Sequence, residues 1–169
     1  MRSHLHTMIQ ILGILLASGC QGLGYSDKPV YYDQVRTVCI QTFENRTFYR
    51  DLEFELTAAL ARRIEAHTPY KIVSDPDRAD SVISGQIMEV SQMALSVDPS
   101  TGRVEESDLC IKAVVNWKDL RSGQLLLNSQ PVEASASRSI VAGQELGYAS
   151  RLAANRLAQR IVQLMEKPW

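Results

Sequence analysis

Two apolar stripes of helical period, set on either side of a long run of strand-like alternation, constrain this chain more than any other feature. Residues 51–67, DLEFELTAALARRIEAH, place Leu52, Leu56, Ala59, Leu60 and Ile64 on one face of a helix. Acids gather early (Asp51, Glu53, Glu55) and bases late (Arg62, Arg63, His67), as the helix dipole favours, and Pro69 blocks continuation. Residues 145–167 repeat the pattern, with Leu146, Ala149, Leu152, Ala153, Leu157, Ile161 and Leu164 facing inward. Each stripe needs an apolar surface to cover it, and the segments between and before them supply one.

Residues 35–43, VRTVCIQTF, alternate as a strand, and residues 70–74 give a second, short one. In the intervening loop, Asn45-Arg46-Thr47 shapes the turn into the helix, with Thr47 or Asp51 as its cap. A long strand is predicted from Ser81 to Asp98, a hairpin turn at Pro99–Gly102, and a second long strand from Glu106 to Asp119. In the second, Leu109, Ile111, Ala113, Val115 and Trp117 face one way and Lys112, Asn116 and Lys118 the other. QLLLNS follows as a short arm, and Ser- and Ala-rich residues 131–144 read as irregular or weakly extended. The order strand, helix, strand, long strand, long strand, helix predicts an α+β two-layer sandwich. Two helices pack on one face of a roughly four-stranded mixed sheet, and the first crossover is right-handed. Strand order is not fixed by the pattern.

The N-terminus speaks to location. Arg2 precedes the apolar run MIQILGILLA, about ten residues long, far short of the ~20 that span a bilayer. LLASGC then brings small residues up to Cys20, and the stretch resembles a bacterial lipobox. That resemblance implies removal of residues 1–19, acylation of Cys20, and a tether over residues 20–34 leading to one domain at 35–169. Each buried methylene contributes about 0.8 kcal/mol, so two or three chains anchor stably where one would not. Gln21, rather than an aspartate, leans towards the outer membrane. Loss of Arg2 takes the formal charge from −1 to −2, and aromatics are 7%, so neither charge nor a basic-aromatic platform points to nucleic acid.

Catalytic parts are missing. His67 is the one histidine beyond the leader and sits at a helix C-terminus; no metal set, phosphate loop or Ser-His-Asp arrangement forms around it. Glu105-Glu106 read as solvated turn residues, and no cofactor is implied. Cys39 and Cys110 both fall in strands, on the face away from the helices. A disulfide requires those strands to be neighbours in register; otherwise the two remain free, half-buried thiols. Lys112 and Lys118 share a strand face, with Arg103 and Arg121 in flanking turns. Taken as four cations near one end of a hairpin, they suit a phosphorylated glycolipid; taken singly, they are strand-edge charges that discourage aggregation.

Four features resemble one known family. They are Gly24-Tyr25 after the lipobox, Phe-x-Asn-x-Thr at 43–47, Leu-Glu-x-Glu-Leu-Thr at 52–57, and Ala-Asp-x-x-Ile-x-Gly-x-Ile at 79–87. Together they resemble the lipopolysaccharide-assembly lipoproteins, the LptE family, over roughly residues 20–165. The resemblance implies a non-enzymatic protein on the periplasmic face of the outer membrane. There it plugs and helps assemble an LptD-like β-barrel and contacts lipopolysaccharide. A curli-secretion-like or TolB-like envelope lipoprotein without lipopolysaccharide binding is the alternative.

Overall fold

The structure is a computed structural model and describes residues 30–167. The leader, Cys20, Tyr25 and Pro168-Trp169 lie outside the described residues. Chain order is β1 (Thr37–Ile40), β2 (Glu44–Asn45), α1 (Leu52–His67), β3 (Lys71–Ile72), β4 (Ser81–Val97), β5 (Val104–Asp119), β6 (Leu125–Ser139) and α2 (Leu146–Leu164). The predicted α+β sandwich of two helices on a mixed sheet is what forms, with six strands rather than four.

β1 lies between β3 and β4 and is parallel to both; β4, β5 and β6 form an antiparallel meander, giving the order β3-β1-β4-β5-β6. The single strand predicted over 35–43 is split. The chain pairs with Ser81–Ile83 through Val38–Ile40, then rejoins β4 at Gln86–Ile87 as β2. Phe43, buried between the two pieces, lies against Gly85.

The stretch expected to be irregular is instead the body of β6. Val132, Ala134 and Ala136 are buried, while Glu133 and Ser137, between and beyond them, are exposed. The residues are small because α2 packs directly on them. Its buried residues are Ala149, Ala153, Ala154, Leu157, Ala158, Ile161 and Val162, and the predicted inward residues Leu146, Leu152 and Leu164 flank this stripe, partly buried. Alanine on both surfaces lets helix and strand approach closely. Helix α1 buries the five residues its periodicity predicts.

Trp117 is fully buried and donates through Nε1 to Ser81 Oγ at 2.9 Å. Tyr32 and Tyr70 pack edge-on against it, with centroids at 5.5 and 5.8 Å. The Tyr70 hydroxyl accepts from Tyr32 N at 3.0 Å, and burial pushes its pKa up to about 12. Tyr31 and Tyr32 therefore belong to the body rather than to a free tether. Lys167 closes the same end: its N–H donates to Val30 O at 2.8 Å and its Nζ lies 3.3 Å from Asp33.

Candidate functional site

One sheet face carries the helices and the other has no second layer among the described residues, so function has to be sought on the open face and the loops at its ends. The four candidate cations are not gathered there. Arg103 follows the β4–β5 turn and Arg121 lies in the β5–β6 turn, at opposite ends of the sixteen-residue β5, about 50 Å apart. Successive turns of a meander alternate ends, so the expected cluster at one end does not form.

Lys112 and Lys118 do share the open face, six residues or about 20 Å apart. Lys112 pairs with Glu89 across the strands at 2.9 Å, and the hydrogen bond to that carboxylate, with its charge, raises the lysine pKa. Lys118 sits opposite Val82 and Leu125. Arg121 pairs with Asp80.

Cys39 and Cys110 are both free. They lie on the open-face parity, but β4 runs between their strands. Cys39 is in register with Val82 and Cys110 with Ser91, nine residues or about 30 Å along β4. That separation rules out the bridge in this fold. Burial raises both thiol pKa values, and for Cys39 the Asp75 carboxylate raises it further. A reductant is therefore expected to leave the melting temperature of the body unchanged; a fall of more than about 5 °C by calorimetry would mean the thiols pair.

The polar residues that organise the body lie in the family-like patterns. Asp80 is buried, and its Oδ2 accepts from Arg36 N at 2.8 Å and Thr37 N at 2.9 Å, tying the start of β1 to the start of β4. Its own N–H donates to Thr37 Oγ1 at 2.8 Å, and its carbonyl accepts from Leu120 N at 2.8 Å. Burial alone would raise this carboxyl; the Arg36 and Thr37 hydrogen bonds and the Arg121 charge reverse it, and the pKa is lowered. Asp119, beside it, is lowered too, as donors from Ser122 and Arg121 outweigh burial.

Asn45 organises the entry to α1. Its Nδ2 donates to Tyr49 O at 2.6 Å and to Glu53 Oε2 at 2.7 Å, while its Oδ1 accepts from Thr47 N at 3.0 Å and Thr47 Oγ1 at 2.8 Å. Asp51 occupies the N-cap position with φ 66° and makes no side-chain cap. Thr47 does not cap the helix either: it belongs to the Asn45 network. Asn45→Ala is expected to cost about 2 kcal/mol in urea unfolding, because four hydrogen bonds lose one centre. A cost under about 0.5 kcal/mol would mean that the loop holds without it.

Among the described residues no group of three His, Cys, Asp or Glu is placed to hold a metal. No described helix is long and apolar enough to cross a membrane. His67 ends α1, with its carbonyl accepting from the Tyr31 hydroxyl at 2.9 Å.

The comparisons agree with this architecture. No curated protein sequence matches the chain. Among solved structures, it is similar to lipoprotein B from Nitrosomonas europaea at 19% identity and TM-score 0.52, covering 76% of this chain and 81% of that one. The protein CT253 from Chlamydia trachomatis is similar at 13% identity and TM-score 0.54, over 76% and 94%. The PelC dodecamer subunit from Paraburkholderia phytofirmans is similar at 12% identity and TM-score 0.50, over 84% and 96%. At these identities the likeness is one of fold. The family described as LptE, lipopolysaccharide-assembly, matches residues 35–165. With that match over nearly the whole body, the chain belongs to the LptE family of lipopolysaccharide-assembly lipoproteins.

Proposed function

We propose that this protein is a lipid-anchored, non-catalytic assembly factor on the periplasmic face of the outer membrane. Residues 1–19 are removed, Cys20 carries the acyl chains, residues 20–34 lead to the body, and residues 35–169 form the working domain. The body plugs an LptD-like β-barrel, helps it assemble, and contacts lipopolysaccharide on its way to the surface. The observation that carries the reading is the family match over residues 35–165. A body whose polar residues serve its own strand junctions, with one sheet face open, suits a part that works by fitting into a larger one.

Lipopolysaccharide contact runs along the open face rather than at one cluster. Lys112 and Lys118 meet phosphates there, Arg103 does so at the hairpin end, and Arg121 is held by Asp80. The intact lipoprotein, purified in detergent with the co-produced barrel, is expected to form a stoichiometric complex. The double variant Lys112→Glu/Lys118→Glu is expected to bind lipopolysaccharide about tenfold more weakly, with the complex intact. Unchanged binding in that variant removes these lysines from the contact. Recovery of the protein as a ring of its own copies, without barrel, removes the reading.

A further inference from the structure

The loop between β2 and α1 presents an aromatic ring to solvent. Phe48 is 103% exposed, and Arg46 and Arg50, two residues to either side, are exposed as well. The loop is held and does not fold over the ring. Arg46 N donates to Ile87 O at 3.0 Å, the Tyr49 hydroxyl accepts from Gln92, and Asn45 holds Thr47 and Tyr49. Tyr49 packs on the core, and Phe48 beside it is left outside. Arg46 pairs with Glu44, while Arg50 has no ion pair among the described residues.

The open face of the sheet carries a hollow of complementary character. Met88 is the extra residue in the bulge between Ile87 and Glu89, and with Val114 and Pro131 it lines a depression of about 490 Å³. Lys112 and Glu133 stand at its rim. Lys112 lies opposite Glu89 on β4 and Glu133 on β6, so the two carboxylates are two strand spacings, about 10 Å, apart. Lys112 is paired with Glu89; Glu133 and Asp108 have no ion pair among the described residues. Burial raises the pKa of Cys110, in the middle of this surface, and Glu133, Asp108 and Glu89 raise it further against Lys112 alone. Three carboxylates to one ammonium therefore surround an apolar floor.

We infer that this hollow takes Phe48 of a second copy of the chain, with Arg46 and Arg50 of that copy set against Glu133, Asp108 and Glu89. An aromatic anchor seated in an apolar depression, with opposite charges around it, is how protein surfaces recognise each other. The spans agree. Arg46 and Arg50 stand at most about 14 Å apart along the backbone, and their long side chains close the difference to the about 10 Å between carboxylates on β4 and β6. Glu44 beside Arg46 and Lys112 beside Glu89 each neutralise one partner, which leaves Arg50 against Glu133 and Asp108 as the net attraction. The chain does not fill its own hollow, because its loop is bonded on the helix side of β4 and the hollow lies on the open side. The contact covers the face along which the proposed function runs, so it belongs to the free protein and yields to the barrel.

The test puts the photocross-linker p-benzoylphenylalanine in place of Phe48 in the intact lipoprotein, purified in detergent with and without the LptD-like barrel of the same organism. In the free protein, irradiation is expected to join two differently tagged copies, with peptide mass spectrometry placing the link at Met88 or between Pro131 and Glu133. Arg46→Glu/Arg50→Glu and Glu89→Lys/Glu133→Lys, each carrying the cross-linker, are expected to cut the yield at least fivefold with the melting temperature unchanged. Mixing those two variants is expected to restore it, since the reversed loop of one then meets the reversed hollow of the other. Links only within one chain, links to another part of the second copy, or a mixture no better than either variant overturn the inference. Adding the barrel is expected to cut the yield at least fivefold, and links undiminished in the barrel complex overturn the assignment to the free protein. A normal barrel complex with no self-link in the free protein overturns the inference and leaves the proposed function standing. Self-links as expected, with no barrel complex, remove the proposed function and leave the inference standing.

Discussion

Gly85→Ala is expected to lose about 3 kcal/mol of stability, and Gly85→Val to give no folded protein. A Cβ built at this position lies 2.4 Å from Phe43 Cε1 and 2.6 Å from the carbonyl oxygen of Val114. The ring can shift by leaving its buried seat, but the carbonyl belongs to β5, whose ladder with β4 runs through Gly85 and Val115. One contact is relieved only by opening the core and the other only by opening the sheet, which puts the change at the upper end of overpacking costs of roughly 1–3 kcal/mol. For a domain of this size, 3 kcal/mol is about 10 °C in Tm. Thermal unfolding of Gly85→Ala measures it directly, and a Tm within 2 °C of wild type would mean that Phe43 and β5 yield at little cost. The glycine of the Ile-x-Gly-x-Ile pattern is thus explained by close approach, not by a turn.

Asp80→Ala comes second, at about 3 kcal/mol. It strips the acceptor from two backbone N–H groups at the start of β1, each worth about 1–3 kcal/mol when buried and unpaired. It also frees the Arg121 guanidinium. That side chain is largely exposed, so Arg121→Ala should cost under about 1 kcal/mol, and the pair of variants separates the charge from the hydrogen bonds. Equal costs would mean that the ion pair carries the junction. The pH dependence has a fixed sign. Asp80 and Asp119 both titrate below the ordinary carboxylate range when folded. Their stabilisation is present in full above the unfolded value, near pH 4, and is lost as pH falls through the folded values. Urea midpoints taken from pH 6 down to pH 2.5 should fall steeply below about pH 4, and Asp80→Asn should flatten that fall.

Much of this architecture is written in local pattern, and its limits are instructive. Helix α1 was legible residue by residue because its stripe is made of large apolar side chains. Helix α2 was legible in extent and in four of its inward residues, Ala149, Ala153, Leu157 and Ile161; Ala154, Ala158 and Val162 complete the buried face, while Leu146, Leu152 and Leu164 are only partly buried. β6 was hidden. Its buried residues are small to admit that helix, and its proline is tolerated because it lies on an edge. The break between β1 and β2 follows from Phe43 meeting Gly85, a contact across 42 positions that no local window contains.

The site was less legible than the fold. Arg103 and Arg121 were grouped by a sequence distance that is one strand length, and one strand length puts them at opposite ends. Asp80 binds partners 43 and 44 residues away, so only its place in the Ala-Asp-x-x-Ile-x-Gly pattern marked it.

The account rests on a body that serves lipopolysaccharide assembly without chemistry of its own. Depleting the protein from growing cells and quantifying lipopolysaccharide at the cell surface tests this most directly. Surface lipopolysaccharide should fall within a few generations as correctly assembled barrel declines, and a plasmid copy should restore both. Undiminished surface lipopolysaccharide, with the barrel at its normal level, would contradict the account.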